Sequence, residues 1–94
     1  MSVQLLKVTL GSGATQIPWS ADYDVPWALL CNNAAANMNL GPSTVTSGHG
    51  VPLNVGGTFF IPSSAPRGVN LSSWYAIGTS GNVIDIVYED GLSA

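Results

Sequence analysis

Apolar and polar residues alternate along several short stretches of the chain, and a two-residue period is typical of β-strands with one buried face. In residues 4–10, for example, Leu6, Val8 and Leu10 share one face, and Leu5 falls on the other. Similar alternation or short apolar runs predict further strands or extended segments at residues 15–18, 27–32, 37–40, 51–55, 58–61, 74–77 and 83–89.

The centre of the chain carries the clearest local signal. The runs at residues 51–55 and 58–61 are joined by Gly56 and Gly57, and a Gly-Gly pair between two such runs is typical of a tight β-hairpin. Pro52 cannot donate a hydrogen bond to a neighbouring strand, so we expect the first run to form an edge or the start of a strand. The side chains predicted to face the core in that run are Val51, Leu53 and Val55.

The segments between the predicted strands are rich in proline, glycine and hydroxyl residues, as in residues 19–26, 43–49 and 63–68, and we expect loops there. No stretch of useful length has the 3.6-residue apolar period of a helix. About seven short antiparallel strands separated by turns predict an all-β fold, either a small β-sandwich or a barrel. With 94 residues and no internal repeat, the chain is expected to form a single β domain over residues 1–94.

The composition is unusual in its lack of charge. Charged residues make up 7% of the chain, against about a quarter in ordinary globular proteins. The polarity comes instead from 11 Ser, 6 Thr and 7 Asn, and the only basic side chains besides one histidine are Lys7 and Arg67. We infer that much of the surface meets other protein, or that the chain works in a symmetric assembly. The alternative is a neutral, hydroxyl-rich surface on an ordinary soluble protein.

Several classes of partner are excluded by this balance. A formal net charge of −3 with two basic residues cannot build the positive patch that binds phosphates, so nucleic acid and membrane surfaces are not expected as partners. No apolar run reaches the roughly 18 residues of a spanning helix, and we expect no secretory signal at the N-terminus. Cys31 is the single cysteine, which leaves no internal disulfide and fits synthesis in a reducing cytoplasm.

Few residues carry reactive chemistry. His49 is the single histidine and lies in a glycine-flanked loop, and Cys31 lies in an apolar run that predicts a buried thiol, so neither suggests a catalytic group. Asp22 and Asp24 could serve acid–base chemistry or bind a cation, but two carboxylates without further ligands are more typical of a solvated loop. We therefore expect a protein that is not an enzyme and that has no cofactor and no metal site.

Aromatic residues cluster in the loop that two prolines flank. Trp19, Tyr23 and Trp27 lie within nine residues and could form a stacking platform for a sugar ring or an anchor for a protein partner. The alternative is structural: Trp27 begins a core strand and Trp19 covers one end of the barrel.

The order of short motifs resembles a family of small virion proteins of tailed bacteriophages. The resemblance covers residues 8–88 and consists of glycine, threonine and apolar tokens rather than catalytic signatures. The matching segments are the Ala-Thr-Gln-Ile-Pro of residues 14–18, the Ala-Leu-Leu-Cys-Asn-Asn of residues 28–33, the Asn-Met-Asn-Leu-Gly of residues 37–41, the Ser-Thr-Val-Thr-Ser of residues 43–47, the Gly-Val-Pro-Leu of residues 50–53, the Gly-Gly-Thr-Phe of residues 56–59 and the Trp-Tyr-Ala-Ile-Gly-Thr-Ser-Gly of residues 74–81.

This resemblance implies a small β-barrel or sandwich protein of the virion, most often a capsid decoration or cement protein on the outer surface of the head. Such proteins have no known cofactor, bind the major capsid protein or another virion protein, and commonly form homo-oligomers, above all trimers. The chain departs from the family pattern at residues 19–26 and 63–70, so the partner surface is not carried over.

The leading hypothesis is thus a non-enzymatic decoration protein that binds and stabilises the assembled head. Pro52 and Asn54, on the uncharged face of the central run, form the candidate docking edge. A tail or baseplate location is one alternative. A carbohydrate-binding module using Trp19, Tyr23 and Trp27 is the other.

Overall fold

The computed structural model describes residues 3–19, 25–62 and 69–89 and shows an all-β fold, as the sequence predicts. Eight strands form two four-stranded antiparallel sheets, which fit a small β-sandwich. The strands are β1 (Val3–Thr9), β2 (Thr15–Gln16), β3 (Ala28–Cys31), β4 (Met38–Gly41), β5 (Val51–Leu53), β6 (Thr58–Ile61), β7 (Tyr75–Ile77) and β8 (Val83–Glu89). One short 3-10 helix, Leu71–Ser73, precedes β7.

The chain crosses between the two sheets at almost every connection. Sheet A has the order β1-β8-β3-β6, and sheet B has the order β2-β7-β4-β5. Among the described strands, β4 and β5 are the one consecutive pair that lies side by side in the same sheet. All the other sheet contacts join strands that are distant in the sequence, such as Val3 to Glu89 at one end of the β1–β8 pair.

The core lies between the sheets, and the alternation read from the sequence locates it. Val8 of β1 and Leu10, which follows this strand, are 3% and 2% exposed, and Ile84 and Ile86 of β8 are fully buried. Alternate side chains point inward because successive residues of a strand face opposite sides of the sheet. The buried cluster consists of Val8, Leu10, Ile17, Val25, Ala28, Leu30, Met38, Leu40, Leu53, Ile61, Val69, Leu71, Ala76, Ile84 and Ile86.

The predicted central hairpin is wrong. The two runs do form strands, but β5 pairs with β4 in sheet B, whereas β6 pairs with β3 in sheet A. A turn does form between them, since the Gly57 N–H donates to the Asn54 carbonyl at 2.7 Å. Gly56 has a φ of +78°, while Val55 and Gly57 do not have positive φ.

This pattern is that of a type II turn, whose twist splays the flanking strands, whereas hairpins use type I′ or II′ turns. The chain therefore leaves sheet B and enters sheet A at this point. The prediction that Val55 faces the core is also wrong, because Val55 lies in the turn and is 53% exposed. Leu53 is buried and Val51 packs against the core, as predicted.

Candidate partner-binding surfaces

The predicted docking residues Pro52 and Asn54 lie at the open edge of sheet B. Strand β5 is an edge strand, as Pro52 predicts, and both side chains are exposed. They line a shallow depression with a volume of about 270 Å³. The other residues that line it are Asn37, Met38, Asn39, Ser47, Ile77 and Gly78.

Hydrogen bonds hold the polar side chains of this depression in place. The Asn39 side-chain amide donates to the Ser47 carbonyl at 2.6 Å, and the Asn37 side-chain oxygen accepts from the Val55 N–H at 2.9 Å. The first bond ties Asn39 of β4 to the loop between β4 and β5. The second ties Asn37, which precedes β4, to the turn after β5. Two of the three asparagine side chains of the depression, Asn37 and Asn39, are therefore held in place.

Sheet B as a whole presents a neutral outer surface. None of its four strands contains an Asp, Glu, Lys or Arg residue. The register shows which residues share the outer side of sheet B. Gln16 pairs there with Tyr75, and Asn39 lies between Ile77 and Pro52. All three charged side chains of the strands, namely Lys7, Asp85 and Glu89, belong to sheet A.

The structure separates the aromatic residues that the sequence groups together. Trp19 packs against the core, and its ring meets the ring of Tyr88 edge-on, with 5.0 Å between their centroids. Tyr88 points inward because it alternates with the outward residues of β8. Trp19 therefore covers one end of the sandwich, as the structural interpretation of this residue predicts.

Trp27 lies on the opposite side of sheet A. Its indole N–H donates to the Glu89 carboxylate at 2.9 Å, and its ring lies 6.2 Å from that of Phe60, which is 53% exposed. Trp19 and Trp27 thus do not share one stacking surface. Tyr23 lies outside the described residues.

The outer side of sheet A carries an apolar surface that the sequence reasoning missed. In the register of the four strands, Leu5 pairs with Val87, Val87 with Leu29, and Leu29 with Phe60. These four residues form one continuous row across the sheet. Val3 and Trp27 extend the surface beyond this row, and we call these six residues the sheet A face. The sequence did contain an indication of this apolar surface, because β1 and β8 carry apolar residues on both faces.

A third surface feature is an apolar cleft beside Trp74. It has a volume of about 440 Å³ and is lined by Leu40, Gly41, Pro42, Gly50, Val51, Ser73 and Trp74. The Trp74 ring also packs on Phe59, with 5.6 Å between centroids. The cleft is thus continuous with the core.

The residues considered for catalysis are not brought together. His49 is exposed, and its Nδ1 lies 3.3 Å from the Thr46 hydroxyl across a tight turn. The described residues contain no group of three or more His, Cys, Asp or Glu side chains that could hold a metal ion. Asp22, Asp24 and Arg67 lie outside the described part of the chain.

Cys31 differs from the prediction of a buried core thiol. It is only half-buried, and its place after Leu30 puts it on the outer side of sheet A, next to Asp85 in the register. Burial raises the pKa of the Cys31 thiol, and the negative charge of Asp85 raises this pKa further. The thiolate is therefore disfavoured, which is the opposite of what a nucleophilic cysteine requires.

Across residues 3–19, 25–62 and 69–89, the structure contains no helix with the length and apolar character that a membrane crossing needs. A scan against protein-family models and searches of curated proteins and of solved structures found no match to the chain.

Proposed function

We propose that this chain is a non-enzymatic structural protein of a bacteriophage virion, which binds the outer surface of the capsid and stabilises the assembled head. The observation that carries the proposal is the neutral surface of sheet B, where Pro52 and Asn54 line a depression rich in side-chain amides. The resemblance to small virion proteins supports it from the sequence.

A surface of this kind suits contact with protein. Burying a charge costs desolvation energy that an ion pair often fails to return, whereas amides exchange water for a partner at little net cost. The outer side of sheet B offers Asn39 and Asn54 as hydrogen-bonding groups and Ile77 and Pro52 as apolar ones. This mixture matches the core of a protein interface, from which charges are depleted.

The edge strand also limits how a partner can bind. Pro52 has no N–H, so β5 cannot add a further strand with a complete set of hydrogen bonds. The partner is therefore recognised through side chains at the depression rather than by extension of sheet B. This restriction makes β5 a poor template for edge-to-edge aggregation.

The stabilising effect follows from mass action. A protein that binds the assembled shell and not the free subunits lowers the free energy of the shell by its binding free energy at each site. Because a capsid repeats the site many times, a weak contact per copy is sufficient. The resemblance further implies that several copies bind as a symmetric group at junctions between capsid subunits.

The test uses heads of the parent phage from which this chain is absent. We expect the purified protein to co-sediment with these heads and to raise their melting temperature. Asn54→Lys places a charge in the depression and should weaken binding about tenfold or more, because the new ammonium must be desolvated. Ser12→Lys adds the same charge in the exposed loop between β1 and β2 and serves as the matched control.

Binding to tails or baseplates and not to heads would move the protein to the alternative location. If the protein co-sediments with neither, the proposal fails. Equal binding by the Asn54→Lys and Ser12→Lys proteins would exclude the depression as the contact.

A further inference from the structure

We propose that the sheet A face is the contact surface of a homodimer, in which the faces of two copies pack against each other around a two-fold axis that runs parallel to the strands. This interface goes beyond the proposed function, since capsid binding uses sheet B on the other side of the sandwich, and it departs from the trimer that the resemblance implies. It assigns a partner to an apolar surface that contains three of the four most exposed large apolar side chains of the described residues, Val3, Leu5 and Phe60.

The first argument is exposure. Val3, Leu5 and Phe60 are 63%, 55% and 53% exposed, and the half-buried Val87 and Leu29 connect Leu5 to Phe60 across the sheet. Scattered apolar residues are normal on a protein surface, but a continuous apolar row across a sheet marks a contact site. A sheet face of this type is covered in β-sandwiches by a second sheet at a distance of about 10 Å.

The second argument is that the face is complementary to itself. A two-fold axis parallel to the strands places β1 over β6 of the second copy and β8 over β3. Leu5 then faces the second copy's Phe60, and Val87 faces its Leu29, so the apolar row meets an apolar row. The same patch serves both copies, as two-fold symmetry requires.

The charges of the neighbouring rows select this axis. Lys7 would face Thr58 of the second copy, and Asp85 would face its Cys31, which stays a neutral thiol. No like charges lie directly opposite each other in this arrangement. A two-fold axis perpendicular to the strands would instead place Asp85 opposite Glu89 of the second copy, and this arrangement is repulsive.

The size of the face sets the strength of the contact. Strand spacing and rise give the whole outer side of sheet A, of which the sheet A face is the apolar part, an area of about 350 Å² in projection, with two strands of seven residues and two of four. Two such faces bury on the order of 700 Å² in projection and more with side-chain relief, which is near the lower limit of specific interfaces. We therefore expect a weak and readily reversible dimer.

The test is sedimentation equilibrium of the purified protein over a range of concentrations. We expect a monomer–dimer equilibrium for the wild type. Leu5→Lys and Phe60→Asp should each weaken the dimer about tenfold or more, since each buries an unpaired charge. Both positions are more than half exposed in one copy, and circular dichroism checks that each variant folds.

The double variant with Leu5→Lys and Phe60→Asp decides the orientation. The two positions lie at opposite edges of the sheet in one chain, about 14 Å apart, but face each other between copies. We expect the double variant to regain most of the dimer. Val55→Lys, at an equally exposed apolar residue outside the strands, should leave the equilibrium unchanged.

A wild type that is monomeric at all concentrations, or that forms trimers, overturns the inference. So does a dimer that neither single variant weakens. A double variant that stays monomeric overturns the proposed axis. None of these outcomes affects the capsid-binding test, because that test measures binding through sheet B.

Discussion

The buried side-chain amide of Asn32 donates a hydrogen bond to the Leu53 carbonyl at 2.9 Å and so joins the end of a sheet A strand to the end of a sheet B strand. The same amide donates to the Ala36 carbonyl, also at 2.9 Å, and its oxygen accepts from the Ala34 N–H at 3.0 Å. The Asn32 backbone bonds to both Gly56 and Gly57. This one residue therefore holds the point where the chain passes from sheet B to sheet A.

Replacing Asn32 with leucine should destabilise the fold strongly. Asn32 is fully buried, and its loss removes three hydrogen bonds at a site closed to water, at a cost of about 3 kcal/mol. Urea unfolding gives the difference. Asn33→Leu is the matched control, because Asn33 is exposed and its side-chain amide donates to the Asp85 carboxylate at the surface; it should cost less than about 1 kcal/mol. Equal losses in the two variants would contradict this account.

Gly50 is required by a close approach between strand and loop. A Cβ at this position would lie 2.7 Å from the Leu40 carbonyl oxygen and 2.6 Å from a methyl carbon of Val45. The buried Val45 fixes the loop after β4, so neither neighbour can move freely. We expect Gly50→Ala to lower the free energy of unfolding by about 2 kcal/mol. Thermal unfolding of the variants measures this loss. In Gly48→Ala, the new Cβ would meet nothing within 4 Å, so this control should be nearly neutral.

The two tryptophans on opposite sides of sheet A should differ in their effect on stability. Trp19→Ala removes a ring that packs against the core and against Tyr88, and we expect a loss of about 3 kcal/mol. Trp27→Ala removes an outer ring and its hydrogen bond to Glu89, for a loss of about 1 kcal/mol. Chemical denaturation measures both. A larger loss for Trp27 than for Trp19 would reverse the assignment of the inner and outer positions.

The raised pKa of Cys31 predicts how stability depends on alkaline pH. The native state holds the thiol proton more tightly than the unfolded chain does. The stability that this proton contributes is complete below the ordinary thiol pKa and is lost as the pH rises through the raised value. As the pH rises from the ordinary thiol pKa through the raised value, the free energy of unfolding of the wild type should therefore fall more than that of the Cys31→Ser protein.

Replacing Asp85 tests the second cause of that shift. Asp85→Asn removes the negative charge that raises the Cys31 pKa, so the thiol should titrate closer to its ordinary value. The ultraviolet absorbance of the thiolate follows the titration directly. An unchanged titration in the Asp85→Asn protein would show that the carboxylate has no influence on the thiol.

The positions of the strands follow from local sequence. The predicted last strand has the observed bounds, Val83–Glu89, and the charged residues Asp85 and Glu89 on one of its faces leave one choice of buried face. The edge position of β5 also follows from one residue, Pro52. The side on which Cys31 lies could not be read in the same way, since its apolar run has no alternation to distinguish inner from outer positions.

The surfaces were only partly predictable. The scarcity of charge leads to the prediction of contact with protein, which stays a prediction, and Pro52 and Asn54 do line one depression. The sheet A face requires the register, because Leu5, Val87, Leu29 and Phe60 come from four strands that the sequence separates. Trp19 and Trp27 are close in the sequence, but this proximity does not predict a shared surface. Trp19 packs on the inner side of sheet A, whereas Trp27 lies on its outer side.

The sequence by itself thus determined where the strands lie and, where apolar and polar residues alternate, which face is buried, because both depend on periodicity within a few residues. Only the tertiary structure decided which strands pair. Gly56 and Gly57 are compatible with several turn types, and their local preference for a hairpin is outweighed when the two runs lie in separate sheets. That arrangement buries Leu53 and Ile61 in one core and satisfies the buried amide of Asn32.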